Sequence, residues 1–199
     1  MIRIIAGPCQ HESLEHSLLI AQTCKDVCDK YGAEYYFKAS FDKANRSSIG
    51  GKRGRGFAIT LNDFEDVKEQ TNVKILTDVH TVEQIKEIHL YYDNIIDVLQ
   101  IPAFLCRQTD LVQAACDTNK IVNIKKGQFL APWDMEGILS KTEGAKEVWI
   151  TERGTSFKNF CTTKDTMWAF KWCIFARKPI PLDDSVNALF TMPPEKKDD

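Results

Sequence analysis

Hydrophobic residues fall into short runs that alternate with amphipathic stretches. The short runs are rich in β-branched and aromatic residues, and each has the length of a buried strand. They cover residues 2–6, 35–39, 73–77, 95–99, 121–124 and 148–151. Between them, apolar residues recur with helical spacing over 14–31, 61–70, 82–92, 109–118 and 134–140. Strands that alternate with helices predict an α/β fold with a parallel sheet.

A polar side chain lies at or just after the end of each predicted strand. These residues are Cys9, Lys38, Asp78 with His80, Gln100, Lys125 and Arg153. A (β/α)8 barrel builds its active site from all its strand ends, whereas a doubly wound sheet uses only the strands near a switch point. Because every predicted strand contributes, the pattern favours a (β/α)8 TIM-barrel type fold. About six βα units precede residue 152, so the predicted barrel is incomplete.

The character of the sequence changes after residue 157. Residues 158–199 contain the interruptions Pro179, Pro181, Pro193 and Pro194, and they end in a charged run that predicts partial disorder. The apolar stretch 167–176 fits a strand or a helix equally well. We therefore divide the chain into a partial barrel domain, residues 1–157, and a divergent tail, residues 158–199.

The composition excludes several classes of protein. Hydrophobic residues make up 43% and charged residues 27% of the 199 residues, and the net charge is −2. These values are typical of a globular protein that binds neither nucleic acid nor membrane through bulk charge. No apolar run approaches the roughly 18 residues of a membrane span, and the N-terminus predicts no leader, so we expect a cytoplasmic protein. The seven cysteines are odd in number and scattered, which argues against a disulfide framework.

The segment KASFDKANRSS, residues 38–48, carries two lysines and an arginine directly after a predicted strand. Lysine supplies a point charge and arginine a bidentate fork, so the segment suits a phosphorylated ligand. A solvated surface loop with incidental charge explains these residues equally well. The glycines within residues 50–56 permit close approach of the backbone to an anion, but they do not form a P-loop.

Six segments of the chain resemble successive motifs of the 3-deoxy-D-manno-octulosonate 8-phosphate synthases, also called 2-dehydro-3-deoxyphosphooctonate aldolases. The segments are AGPCQHES (6–13), KASFDKANRSS (38–48), TDVH (77–80), LQIPAFLCRQTD (99–110), NIKKGQFLAPW (123–133) and TERGTSF (151–157). They follow the family's order at close to its spacing, and the resemblance ends at residue 157. It implies a cytoplasmic homo-oligomer, a tetramer, that condenses phosphoenolpyruvate with arabinose 5-phosphate in lipopolysaccharide biosynthesis.

The resemblance also implies roles for individual residues. The residues that match the phosphoenolpyruvate site are Lys38, Lys43, Lys125 and Arg153, and those that match the arabinose 5-phosphate clamp are Asn45, Arg46 and Ser47. Asp78 and Gln100 match residues that line the pocket between the two substrates. Lys43, Asp78 and Lys125 are the expected catalytic residues. From the residues alone, Asp78 fits a helix N-cap and Gln100 a strand-end hydrogen bond equally well.

Cys9 matches a cysteine that binds a divalent metal ion in the metal-dependent class of the family. From the residues alone, a lone cysteine is more often a small buried apolar side chain. The resemblance implies three further ligands, a histidine, a glutamate and an aspartate, and none is recognisable after residue 157, where no histidine occurs. One thiolate cannot hold a catalytic metal ion.

Two functions from different classes therefore stand. The first is the synthase, although we expect little or no activity from this chain because the tail lacks recognisable seventh and eighth strands. The second is a catalytically inactive remnant, or a module that binds a phosphorylated ligand.

Overall fold

The structure, a computed structural model, describes residues 2–44, 46 and 48–154. Six strands form one parallel sheet in sequence order: β1 (Arg3–Gln10), β2 (Glu34–Ser40), β3 (Lys74–Asp78), β4 (Val98–Ile101), β5 (Ile121–Lys125) and β6 (Glu147–Thr151). The sheet curls with its helices on the outside, as six consecutive units of a (β/α)8 barrel do. This confirms the predicted fold class. The predicted tail, residues 158–199, lies outside the described residues.

Five α-helices connect these strands. They are α1 (Leu14–Lys30), α2 (Phe57–Thr71), α3 (Val82–Tyr91), α4 (Thr109–Asp117) and α5 (Met135–Leu139). The side chain of Ser13 caps α1 by accepting the N–H of His16, and Thr81 caps α3 by accepting the N–H of Gln84. Each such cap stabilises a helix start by about 1 kcal/mol. The caps fix where the loops end on the C-terminal face of the sheet.

Alternation along the strands separates two apolar layers. Tyr35 and Phe37 of β2 point outward and join the main core between sheet and helices. Tyr36, between them, points into the barrel and packs with Leu76, Val98 and Trp149 in a smaller inner cluster. The inner cluster packs inside the curled sheet below the C-terminal rim. The polar side chains at the strand ends therefore lie directly above packed apolar residues.

Charged side chains close the N-terminal end of the curled sheet. Arg3 on β1 pairs with Glu34 at 3.0 Å and with Glu147 on β6 at 2.6 Å, and its guanidinium lies 5.1 Å from the ring centre of Trp149. The hydrogen bond from Lys74 lowers the pKa of Glu34 to about 2, with Arg3 assisting and burial opposing. Arg3 thus joins the first and last described strands, which do not pair through their backbones.

Two strand boundaries differ from those predicted. β1 continues to Gln10 through a shift in register between Ala6 and Cys9, and Cys9 has a left-handed φ of 66°. β4 begins only at Val98, because residues 93–95 form a turn and the buried side chains of Ile95 and Ile96 join the main core. Asp97 then contacts β3 twice, since its N–H donates to the carbonyl oxygen of Ile75 at 2.9 Å and its carboxylate accepts the N–H of Ile75 at 2.8 Å.

Helix α2 begins at Phe57, one turn before the predicted start at residue 61. Gly56 precedes it with a φ of 97°, a conformation that favours glycine. The ring of Phe57 packs edge-on against Phe41 at 4.9 Å between centres, and Thr60 is buried. Neither residue has high helix propensity, so packing sets this boundary and the sequence pattern alone did not reveal it.

Candidate active site

The C-terminal rim brings three predicted lysines to one carboxylate. Lys38 and Lys125 each place their ammonium nitrogen 3.0 Å from a different oxygen of Asp78. Lys43, in the loop after β2, reaches the same cluster through Ser40. Lys38, Asp78 and Lys125 share the rim because each lies at the inward-facing end of its strand.

The carboxylate of Asp78 is held ionised by its neighbours. Burial raises the pKa of Asp78, but the charges of Lys38 and Lys125 and the hydrogen bond from Ser40 outweigh burial and bring that pKa well below its ordinary value. Three ammonium groups then face one carboxylate, which leaves two uncompensated positive charges. The predicted alternative, a helix N-cap, is wrong for Asp78, because Thr81 caps the helix that follows.

Ser40 is a central residue that the sequence analysis did not single out. Its side chain is fully buried, and its hydroxyl oxygen accepts from Lys38 and Lys43 at 2.9 Å each while donating to Asp78. One hydroxyl therefore links three of the predicted site residues. The available signal was its position two residues after Lys38, which places both side chains on one face of β2.

Lys43 also contacts Cys9. Its ammonium donates to the carbonyl oxygen of Cys9 at 2.8 Å and lies 3.2 Å from the sulfur. Burial raises the pKa of Cys9, but the hydrogen bond from Lys43 and the charges of Lys38 and Lys125 together lower it. Burial and repulsion by Lys38 lower the pKa of Lys43. Cys9 is exposed, so it is not the buried apolar side chain that a lone cysteine often is.

Gln100 and Asn123 continue the ring of polar side chains on β4 and β5. Gln100 pairs in register with Asp78 on one side and Asn123 on the other, and all three are buried. The side-chain amide oxygen of Gln100 (Oε1) has no hydrogen-bond partner within the described residues. A buried acceptor without a donor is uncommon, so this oxygen is available to a ligand. Asn123 accepts a hydrogen bond from Thr151 at 2.9 Å.

Within the described residues, neither of the two predicted arginines takes part in the hydrogen bonds of the lysine cluster. Arg46 donates to the side chain of Gln10 at the end of β1 and to the carbonyl oxygen of Lys52 at 3.0 Å. Arg153 follows β6 and is exposed, and its guanidinium makes no hydrogen bond or ion pair within residues 2–154 as described. The predicted clamp residues Asn45 and Ser47 lie outside the described residues.

The described residues do not form the implied metal site. Among them, no three histidine, cysteine, aspartate or glutamate side chains converge where they could hold a metal ion. Cys9 instead faces the ammonium of Lys43, a cation that would repel a metal ion at the sulfur. Since a catalytic metal ion needs about three protein ligands, we derive no step through one.

A cavity of about 260 Å³ lies outside the barrel, beside the loop after β2. Its lining includes Phe41, Phe57 and Gln84, together with Asp42 and Arg53, which form an ion pair with each other. None of the three clustered lysines lines it. The charge that would attract a phosphorylated ligand is at the rim, so we place the candidate site there and not in this cavity.

His11 connects helices α1 and α2 through hydrogen bonds on the outer side of the sheet. The histidine is fully buried, with one ring nitrogen 2.9 Å from the hydroxyl of Ser17 and the other 2.7 Å from the carboxylate of Asp63. Asp63 also pairs with Arg55 at 2.9 Å. Although serine, histidine and aspartate meet here, Ser17 is buried and has no access to a substrate, so the group is structural.

Two further findings in the described part of the chain concern membrane-spanning helices and the cysteines. No helix in it has both the length and the apolar character to cross a membrane. The cysteines there, Cys9, Cys24, Cys28, Cys106 and Cys116, are all free thiols.

Comparisons with known proteins agree with the resemblance seen in the motifs. Over 156 residues, the chain is 51% identical to a 2-dehydro-3-deoxyphosphooctonate aldolase of Rickettsia bellii and 53% identical to one of Fusobacterium nucleatum. These alignments cover 77% of this chain but 56% and 55% of the relatives, so the chain spans just over half the length of the curated relatives it matches. The sequence model of the DAHP synthetase I family matches residues 1–180, beyond the end of the motif resemblance at 157. The chain belongs to the DAHP synthetase I family.

Proposed function

We propose that this chain binds phosphoenolpyruvate and arabinose 5-phosphate in a site built for their condensation to 3-deoxy-D-manno-octulosonate 8-phosphate and phosphate, with little or no turnover expected from the chain by itself. The observation that carries the proposal is the cluster of Lys38, Lys43 and Lys125 around Asp78, at the rim where barrel enzymes bind substrates. The name of the relatives, 2-dehydro-3-deoxyphosphooctonate aldolase, supports the choice of reaction.

Phosphoenolpyruvate fits the charge of the cluster. The substrate carries a phosphate and a carboxylate, and the cluster has two positive charges in excess before Arg153 is counted. A phosphate oxygen that enters between Lys38 and Lys125 would take over donors that now point at Asp78. The exchange replaces one set of charge-assisted hydrogen bonds by another, so the ammonium groups are already oriented for an anion.

In the proposed reaction, carbon 3 of phosphoenolpyruvate forms a bond with the aldehyde carbon of arabinose 5-phosphate. The aldehyde oxygen takes a proton and becomes a hydroxyl. Water adds at carbon 2, and phosphate leaves with cleavage of the carbon–oxygen bond. Lys43 and Lys125 stabilise the charge that develops on the phosphate and on the intermediate, while Asp78 keeps the ammonium groups aligned.

We assign the arabinose 5-phosphate clamp to Arg46, with Asn45 and Ser47 beside it. Arg46 lies at the end of β1 through its bond to Gln10, the residue that follows Cys9. An arginine here provides a bidentate donor for a sugar phosphate, while the lysine cluster holds the second substrate. The proposal includes a cytoplasmic protein that forms a homo-oligomer.

Two substitutions test the assignment by their opposite effects on two ligands. Lys43→Ala should weaken phosphoenolpyruvate and Arg46→Ala should weaken arabinose 5-phosphate, each by roughly 1.5–3 kcal/mol for a lost charge-assisted contact. Calorimetry measures both affinities, and Lys52→Ala, at an exposed lysine of the same loop, is the matched control. Equal loss for both ligands in every variant would contradict the assignment.

Turnover is measured separately as release of phosphate when both substrates are present. Release that depends on arabinose 5-phosphate supports the synthase. Binding of both ligands without release supports the second function, a module that binds phosphorylated ligands.

A further inference from the structure

Lys126 is a buried cation that the proposed reaction does not use. It follows Lys125 directly, but its side chain points away from the rim and is fully buried. Its ammonium donates to the carbonyl oxygens of Gly154 at 2.8 Å, Leu130 at 3.1 Å and Gly127 at 3.3 Å. Lysine is almost never fully buried unless it is paired, and here the carboxylate of Glu152 lies 3.3 Å away.

Glu152 holds the same short loop from its other side. One carboxylate oxygen accepts the backbone N–H of Arg153 at 3.0 Å and that of Gly154 at 2.6 Å. The loop after β6 is therefore bound through its amides by Glu152 and through the Gly154 carbonyl by Lys126. Gln128 adds a weaker bond to the carbonyl oxygen of Arg153 at 3.3 Å.

Arg153 is the residue that these contacts surround. Its backbone is bonded at both its N–H and its C=O, while its guanidinium has no partner in the described part of the chain. A fixed backbone beneath a free side chain lowers the conformational entropy lost when the guanidinium meets a ligand.

We propose that Lys126 and Glu152 are positioning residues, which hold loop 152–154 so that Arg153 completes the anion site formed by the lysine cluster. The inference rests on the proposed function, because it takes Arg153 to bind phosphoenolpyruvate. Neither residue touches the substrate in this arrangement.

The effect of the Lys126–Glu152 pair on the stability of the fold can be separated from its effect on the position of Arg153. Removing one partner of a buried ion pair leaves an uncompensated charge, whereas replacing both partners by neutral residues of similar volume often restores stability. The variants are therefore Lys126→Met, Glu152→Gln and the two together, all in the 199-residue chain. Lys120→Met is the control, since Lys120 precedes the same strand, is largely buried and also donates to a carbonyl oxygen and pairs with an aspartate.

Four measurements are made on each variant, namely amide hydrogen exchange at Arg153 and Gly154, the affinities for phosphoenolpyruvate and for arabinose 5-phosphate, and the free energy of unfolding. Lys126→Met should speed exchange at both amides by about tenfold or more while the β5 amides keep their protection. It should weaken phosphoenolpyruvate binding by about tenfold and leave arabinose 5-phosphate binding unchanged. Lys120→Met should change none of these.

The double variant decides between positioning and simple stabilisation. If it recovers stability but not amide protection and affinity, the positioning role holds, and it serves as the test protein if Lys126→Met does not fold. Recovery of all three properties overturns the inference, as does unchanged exchange in Lys126→Met. Wild-type chain that does not bind phosphoenolpyruvate contradicts the proposed function instead, and the exchange data alone then decide whether Lys126 holds the loop.

Discussion

Replacing Asp78 by asparagine removes the one carboxylate that offsets part of the positive charge of the lysine cluster. Lys38 and Lys43 are each 2.9 Å from the hydroxyl oxygen of Ser40. Their nitrogens therefore lie within about 6 Å of each other, where two positive charges repel by about 3 kcal/mol at an effective dielectric constant of 20. Lys125 would lose its partner as well. We expect Asp78→Asn to destabilise the fold.

The size of the destabilisation by Asp78→Asn follows from the burial of the ion pairs that Asp78 forms with Lys38 and Lys125. Breaking a fully buried ion pair costs about 3–5 kcal/mol, but the side chain of Lys125 is 25% exposed, so water screens part of the loss. We therefore expect the free energy of unfolding to fall by about 2–4 kcal/mol. Urea denaturation followed by circular dichroism measures it. Asp93→Asn is the control, because Asp93 is half exposed and its ion pairs should contribute about 1 kcal/mol or less.

The loss of stability caused by Asp78→Asn should depend on pH and on added phosphate. The folded-state pKa of Asp78 is depressed, so its contribution is fully present above the unfolded value of about 3.9 and declines as the pH falls below it. The difference between wild type and Asp78→Asn should be constant from about pH 8 to about pH 5 and shrink below about pH 4. Inorganic phosphate should stabilise the variant more than the wild type, because three ammonium groups then face it unopposed. A variant as stable as the Asp93→Asn control would refute this account of the cluster.

Three further predictions concern single side chains. His11→Ala should lower the free energy of unfolding by about 1–3 kcal/mol, since it removes the imidazole partner of the buried Ser17 hydroxyl and of the part-buried Asp63 carboxylate; urea denaturation measures this, and a loss under about 0.5 kcal/mol would contradict it. Glu34→Gln should remove a contribution that is present above about pH 4.3 and lost as pH falls toward the folded pKa of about 2, so thermal melts of the two proteins should converge in acid. Iodoacetamide should label exposed Cys9 before Cys116, whose pKa burial raises to about 11, and peptide mapping that finds the reverse order would refute the contact with Lys43.

Much of the rim could be predicted because strand alternation is a local property. A residue at the inward end of a parallel strand lies beside its counterparts on neighbouring strands, which is how Lys38, Asp78 and Lys125 were placed together. The role of Ser40 was not predictable in this way. Its hydroxyl connects Lys38 and Lys43, which are close to it in sequence, with Asp78 on the neighbouring strand, and a serine in a strand carries no sequence pattern that predicts such a bridge.

Other features depend on tertiary contacts that no window of sequence contains. β4 begins only after a turn, although the preceding apolar residues have strand character, and the carboxylate of Asp97 binds the N–H of Ile75 on the neighbouring strand. Strand alternation places Lys126 on the face opposite Lys125, but its burial among carbonyl groups depends on Gly154, which lies in another loop. In both cases a side chain binds backbone groups distant in sequence, and hydrophobic periodicity does not record such bonds.

The contact between Arg3 and Glu147 has a consequence for how this sheet assembles. The two residues are 144 positions apart in sequence, and they meet only when all six strands have curled into place. The backbone pairings of the described sheet all join strands that are consecutive in sequence. These pairings close short loops, so they form early at low entropic cost. The ion pair between Arg3 and Glu147 therefore forms in the last stage of folding. Interactions that form after the transition state act mainly on the rate of unfolding, so Arg3 slows the opening of the curled sheet and has little influence on how quickly it forms.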